Sequence, residues 1–221
     1  MNQINTATKT RHRIGIHQLQ AVLSVPEQTI GLVVFAHGSD SSCVSPRNEH
    51  IANRLNEDGM ATLLFDFLTE TECNERDNSF KPELLAGRLQ EVLDWTRQQE
   101  SLEALPLAMF GSGTGMAAVI ILAANQPEQI RAIVGRGGRT DLAKRWLDQV
   151  KCPALLMVGE LDKFVLSVNQ AASHAMPGET NLRIIVGASH LFSETGKLDE
   201  ICEMAASWLL SHFQASSPTS N

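Results

Sequence analysis

Six short apolar runs separated by helix-patterned stretches constrain this chain more than any other feature. Residues 30–36 (IGLVVFA) form a continuous apolar run around a β-branched centre, the pattern of a strand buried on both faces. Residues 61–65, 105–110, 130–134, 154–158 and 182–186 repeat it. Segments 14–16 and 19–25 alternate more and predict an N-terminal antiparallel pair. Ile51 and Leu55 stand one helical turn apart, and Gly59 ends that helix. From Pro82 to about Gln98, Leu85, Leu89, Val92 and Leu93 make one apolar face. Residues 115–124 (GMAAVIILAA) are apolar on every side and predict a buried helix. Helices over 164–176, stopped by Pro177-Gly178, and over 198–213 complete the set. Strands alternating with helices predict an α/β fold: a mostly parallel sheet of seven to eight strands with helices on both faces.

No repeat or low-complexity block interrupts the series, so residues 1–221 read as one domain, with 1–12 and 214–221 expected to be flexible ends. The formal net charge of -7 argues against a nucleic-acid or anionic-membrane surface. No apolar run approaches the roughly 20 residues that span a bilayer, and the first residues (MNQINTATKTRHR) lack the apolar core of a signal peptide. Four scattered cysteines without a C-x-x-C pair suit reduced thiols in a cytoplasmic setting rather than disulfides or a metal site.

In such sheets ligands bind beyond the carboxyl ends of the strands. Three loops there are unusual. His37-Gly38-Ser39-Asp40 follows the first buried strand, and its backbone N–H groups can serve as an oxyanion hole; the plain alternative is an ordinary turn. Cys43, just beyond, is a weak candidate nucleophile. Gly111-Ser112-Gly113-Thr114-Gly115 joins a strand to the buried helix with glycines four apart, the setting of a nucleophile elbow. The outer glycines relieve backbone crowding, but Gly113 occupies the nucleophile's place and brings no reactive atom. Ser112 would serve only if the register slipped by one, which would put Phe110 and Thr114 at the crowded positions. Thr114 is expected to contribute its backbone N–H. A phosphate-cradling reading of GSGTG lacks the lysine and the glycine spacing it requires.

The third loop pair holds Asp162, in Gly159-Glu160-Leu161-Asp162, and His190, in Gly187-Ala188-Ser189-His190. Elbow, acid and histidine in that order match the chain order of α/β-hydrolase triads. Glu160 is the competing carboxylate, and Asp162 also suits the N-cap of the next helix. Arg136 and Arg139 stand on the same rim, where a guanidinium can clamp a substrate carboxylate or simply be solvated.

These stretches (VVFAHGSDSS, SPRNEHIANRLNEDGMATLLFD, MFGSGTGMAA, GRGGRTDLA, VGELD and VGASHLF) resemble the α/β-hydrolase superfamily, and within it the small dienelactone-hydrolase-like proteins. The resemblance covers about residues 30–192. It implies that relatives have serine at the place held here by Gly113, with the acid at Asp162, the base at His190, and oxyanion donors near Gly38 or Ser39 and at Thr114. It also implies cofactor-free hydrolysis of small-molecule esters, lactones or related acyl bonds. The only segment available as a lid is 139–150, so no large cap domain is expected. Glycine at 113 leaves three expectations: a hydrolase scaffold without its nucleophile, a ligand-binding pseudoenzyme, or slow hydrolysis by water activated at His190.

Overall fold

The computed structural model describes residues 7–38 and 41–214. Eight strands form one sheet: β1 (Ala7–Ile14), β2 (Leu19–Pro26), β3 (Gly31–Ala36), β4 (Met60–Phe65), β5 (Leu107–Ser112), β6 (Ile130–Arg136), β7 (Ala154–Gly159) and β8 (Thr180–Ile185). Their order is β1-β2-β4-β3-β5-β6-β7-β8. β1–β2 and β2–β4 are antiparallel and every other pair is parallel. The first strand starts at Ala7, so residues 7–12, expected as part of a flexible end, belong to the sheet, while residues 1–6 and 215–221 lie outside the described residues. Polar side chains on β1 hide it from a pattern reading, yet eight ladder positions from Ala7 to Ile14 tie it to β2.

Five α-helices cover the sheet: α1 (Pro46–Glu57), α2 (Pro82–Thr96), α3 (Gly115–Asn125), α4 (Lys163–Ala175) and α5 (Lys197–Gln214). Side-chain alternation along the strands divides the core in two. Leu32, Val34 and Ala36 of β3 join α2, α3 and α4 on one face. Val33 and Phe35 join α1 and α5 on the other, where Phe35 stacks on Phe110 at 4.9 Å. The all-apolar α3 is buried as its sequence requires, sandwiched between the sheet, α2 and the 3-10 segment Thr140–Gln149. That segment is no free flap. It buries Ala143 and Leu147, and Thr140 Oγ1 donates to the Val168 carbonyl of α4 at 3.1 Å. No cap is evident among the described residues.

Glycine decides how closely the elements approach. A Cβ on Gly115 would stand 2.2 Å from the Ala36 carbonyl oxygen and 2.4 Å from that of His37, which are backbone atoms and cannot yield. Gly115→Ala is therefore expected to cost about 3 kcal/mol by overpacking. Gly87→Ala, at an α2 position with nothing within 4 Å of a new Cβ, should stabilise by about 0.5–1 kcal/mol. Urea unfolding of the two variants checks both signs.

Candidate active site

The strand β5 runs straight through Ser112, the chain turns at Gly113 with φ of +50°, and α3 begins at Gly115. A left-handed φ costs an L-residue and is free to glycine. Gly111 and Gly115 are the crowded outer positions. A Cβ on Gly111 would lie 2.8 Å from Met116 Cα. No register slip occurs, so Ser112 stays a strand residue. It lies on the same face as Phe110, toward α1 and α5, and is buried.

Gly38 packs on this corner. A Cβ there would stand 3.3 Å from Gly113 Cα and 3.7 Å from the Thr114 nitrogen. Thr114 itself is buried. Ser39, the other expected donor, lies outside the described residues. The loop after β6 grips the corner from the opposite side, where the Arg139 N–H donates to the Gly113 carbonyl at 2.8 Å.

Asp162 and His190 meet. His190 Nδ1 donates to Asp162 Oδ2 at 2.6 Å, while Asp162 Oδ1 accepts from the Val165 N–H at 3.3 Å. The aspartate thus N-caps α4 and orients an imidazole at once, one carboxylate oxygen to each task. Its side chain is 16% exposed and that of His190 49%, so the ring is half open to solvent. Glu160, the competing carboxylate, is engaged elsewhere, accepting from the Gly187 N–H at 2.8 Å. Sequence reasoning missed Gly137. With φ of +55° and no side chain, it leaves room for the His190 ring, whose Cε1 and Nδ1 would stand 3.4 Å from a Cβ there. The glycine run 135–138 was the available signal.

The two arginines part company. Arg139 is bidentate to Asp141, at 2.8 Å through both Nε and Nη2, and lies 5.2 Å over the Phe164 ring. Its fork is already filled. Arg136 overturns the solvated reading, for it is buried at the end of β6, on the face covered by α1 and α5.

A cavity of about 500 Å³ opens beside the corner, on the β2–β4 side, walled by Gly38, Thr114, His37, Asp66, Phe67 and Leu19 among others. Asp162 and His190 are not among its walls. Asp66 was not anticipated as part of the site. Burial alone would raise its pKa, but the interaction with His37 and the Cys43 N–H bond at 2.6 Å outweigh burial and hold the carboxyl below its ordinary value. His37 Nδ1 in turn donates to the Gly38 carbonyl at 2.8 Å. Cys43 is no nucleophile: burial, then the Asp66 charge and hydrogen bond, push its thiol up to about 12, so it stays protonated.

Because folded Asp66 ionises more readily than in the unfolded chain, it stabilises the fold above about pH 4, and that contribution fades as pH falls through the lowered folded value. Asp66→Asn is expected to cost about 1–3 kcal/mol at pH 7. The gap from the parent should narrow in acid, as read by urea unfolding at pH 7 and below pH 4.

Comparison with known proteins places this geometry. The family model described as an alpha/beta hydrolase domain matches residues 29–212. Two Mycobacterium tuberculosis proteins, each named "putative phosphoribosyl transferase", are 45% identical over 197 residues, 89% of this chain. The chain spans only 44% of the length of either relative. A dienelactone hydrolase from Anabaena variabilis is 38% identical, covers 95% of this chain with 99% of its own, and superposes with a TM-score of 0.89. Est1E from Butyrivibrio proteoclasticus shares the fold, with a TM-score of 0.75 at 17% identity over 95% of this chain and 99% of its own. The eight-stranded, mostly parallel sheet, the family match over residues 29–212 and the 38% identity to a dienelactone hydrolase together make this chain a dienelactone-hydrolase-like member of the α/β-hydrolase family.

Proposed function

We propose that this chain carries the acyl-hydrolase site of a Ser-His-Asp esterase or lactonase with glycine in the nucleophile's place. The 2.6 Å contact between His190 Nδ1 and Asp162 Oδ2, on loops flanking the left-handed corner at Gly113, carries the reading. With serine at 113, His190 Nε2 would take the hydroxyl proton as the oxygen attacks the acyl carbon, and Asp162 would hold the Nδ1–H and stabilise the imidazolium. The Thr114 N–H and a donor from the loop at Gly38 would meet the developing oxyanion, since both stand at the corner where it forms. The acyl or leaving group would occupy the adjoining cavity, whose volume suits a small organic molecule. No step calls for a cofactor.

As the chain stands, no atom at 113 attacks. Glycine, natural or introduced, preserves the pocket and removes the covalent step, so the chain binds small acyl compounds and turns them over at most slowly. One observation favours a residual route: a Cβ at Gly113 meets only Gly38 Cα within 4 Å, leaving the side-chain direction open for a water that His190 can deprotonate.

Gly113→Ser is expected to raise kcat/KM for short aryl esters by 10²-fold or more (on the order of what restoring a triad member returns). His190→Ala in that background should erase the gain. A folded Gly113→Ser protein without new activity overturns the hydrolase reading. The same substitution places a side chain at positive φ and 3.2 Å from Gly38 Cα, so it should cost about 1–2 kcal/mol, a fall in Tm of about 2–8 °C. Weak activity of the parent chain that His190→Ala removes selects the water route, and equal activity in both eliminates it.

A further inference from the structure

The hydrolase reading leaves Arg136 without a task. It ends β6, pairs in register with Ser112 of β5, and shares the strand face of Ala132 and Val134 under α1 and α5. The residue is 8% exposed. Its Nη2 donates to Asn48 Oδ1 at 3.2 Å, and its buried Nη1 has no hydrogen-bond partner among the described residues. Asn48 is held in place by its own Nδ2, which donates to Ser41 Oγ at 3.0 Å, so its oxygen is aimed at the guanidinium.

The surroundings are wrong for a lone cation. Asn48 belongs to the first turn of α1, a twelve-residue helix whose positive pole lies at that end. The N-cap Ser45 makes no side-chain cap there. The Arg47 charge, next to Asn48, repels Arg136 and adds to burial in lowering its pKa to about 10, which still leaves it protonated at neutral pH. No carboxylate pairs with it among the described residues. Cys202 supplies no negative charge either, since burial and Asp199 push its thiol up to about 11. A buried charge is tolerated when a partner of opposite sign completes it, and among the described residues the side chain that touches the Arg136 guanidinium is the neutral Asn48.

We infer that Arg136, with Asn48 and the first turn of α1, forms a binding site for one small monoanion, a halide or a single carboxylate. One cation with one uncommitted edge matches one negative charge, and a phosphate dianion would exceed it. The site stands directly beneath the candidate centre. Ser112 immediately precedes Gly113, and Gly137, on which the His190 ring rests, immediately follows Arg136. The anion would therefore cancel a positive field under the imidazole. Nothing in this inference requires Gly113 to be replaced or any substrate to be hydrolysed.

Melting of the unmodified chain in increasing sodium chloride or sodium acetate is the test, at ionic strength matched with sodium MES, a bulky sulfonate. At about thirty times its dissociation constant either small anion is expected to raise Tm by about 4–8 °C above the MES control. Arg136→Met should abolish the difference while melting no lower than the parent in MES. A response to chloride alone identifies a halide site, and a response to acetate as well admits the carboxylate. Crystals grown in bromide supply a readout independent of the variant's folding: anomalous density within hydrogen-bond reach of Arg136 Nη1. No Tm difference in the parent, a difference that Arg136→Met retains, or bromide absent from Nη1 overturns the inference.

Discussion

Backbone meets backbone where the end of β3 crosses the start of α3, and everything at the candidate site is referred to that contact. The carbonyls of Ala36 and His37 lie where a Cβ of Gly115 would be, and Gly38 lies against the Cα of Gly113. With no side chain between them, His37-Gly38 and the corner after β5 pack backbone against backbone. The Arg139 N–H then pins the Gly113 carbonyl from the β6 side. Three consecutive strand ends of the sheet are thereby locked in order β3-β5-β6, and the loops beyond them can only face one another.

On that frame the polar groups sort by what completes them. Asp162 is satisfied twice, by a helix N-terminus and by an imidazole, which fixes the imidazole's Nδ1 as the donor. Arg139 is satisfied by Asp141 and lies on an aromatic ring. Asp66 is satisfied by His37 and by the backbone and thiol of Cys43, which stiffens the floor of the cavity beside the corner. Arg136 differs, with one neutral contact and a buried Nη1 that has no hydrogen-bond partner among the described residues. Two arginines three residues apart in one glycine-rich loop thus have opposite environments, because one ends a strand and turns inward while the other lies past the turn at Gly137.

Much of this was legible beforehand. Continuous apolar runs marked β3 to β7, since strands buried on both faces have no polar side to blur the pattern. The glycines at 111, 113 and 115 marked the corner because close approach leaves no choice of residue. Asp162 and His190 were legible from their places just past β7 and β8. Less visible were β1, whose polar side chains disguise a strand held by its ladder, and the Asp66–His37–Cys43 cluster, whose members come from separate loops. Neither residue spacing nor composition carries such a contact.

By itself the sequence determined the alternation of strands and helices, the place of the tight corner and the absence of any reactive atom at position 113. All three follow from local facts: side-chain periodicity, the steric freedom of glycine and the identity of one residue. Only the tertiary structure decided that Asp162 rather than Glu160 holds His190, that Gly137 makes room for the ring, and that Arg136 is buried without a counter-charge among the described residues. Those depend on which face of a strand a side chain takes and on what a distant segment brings against it, and distance along the chain does not encode either one.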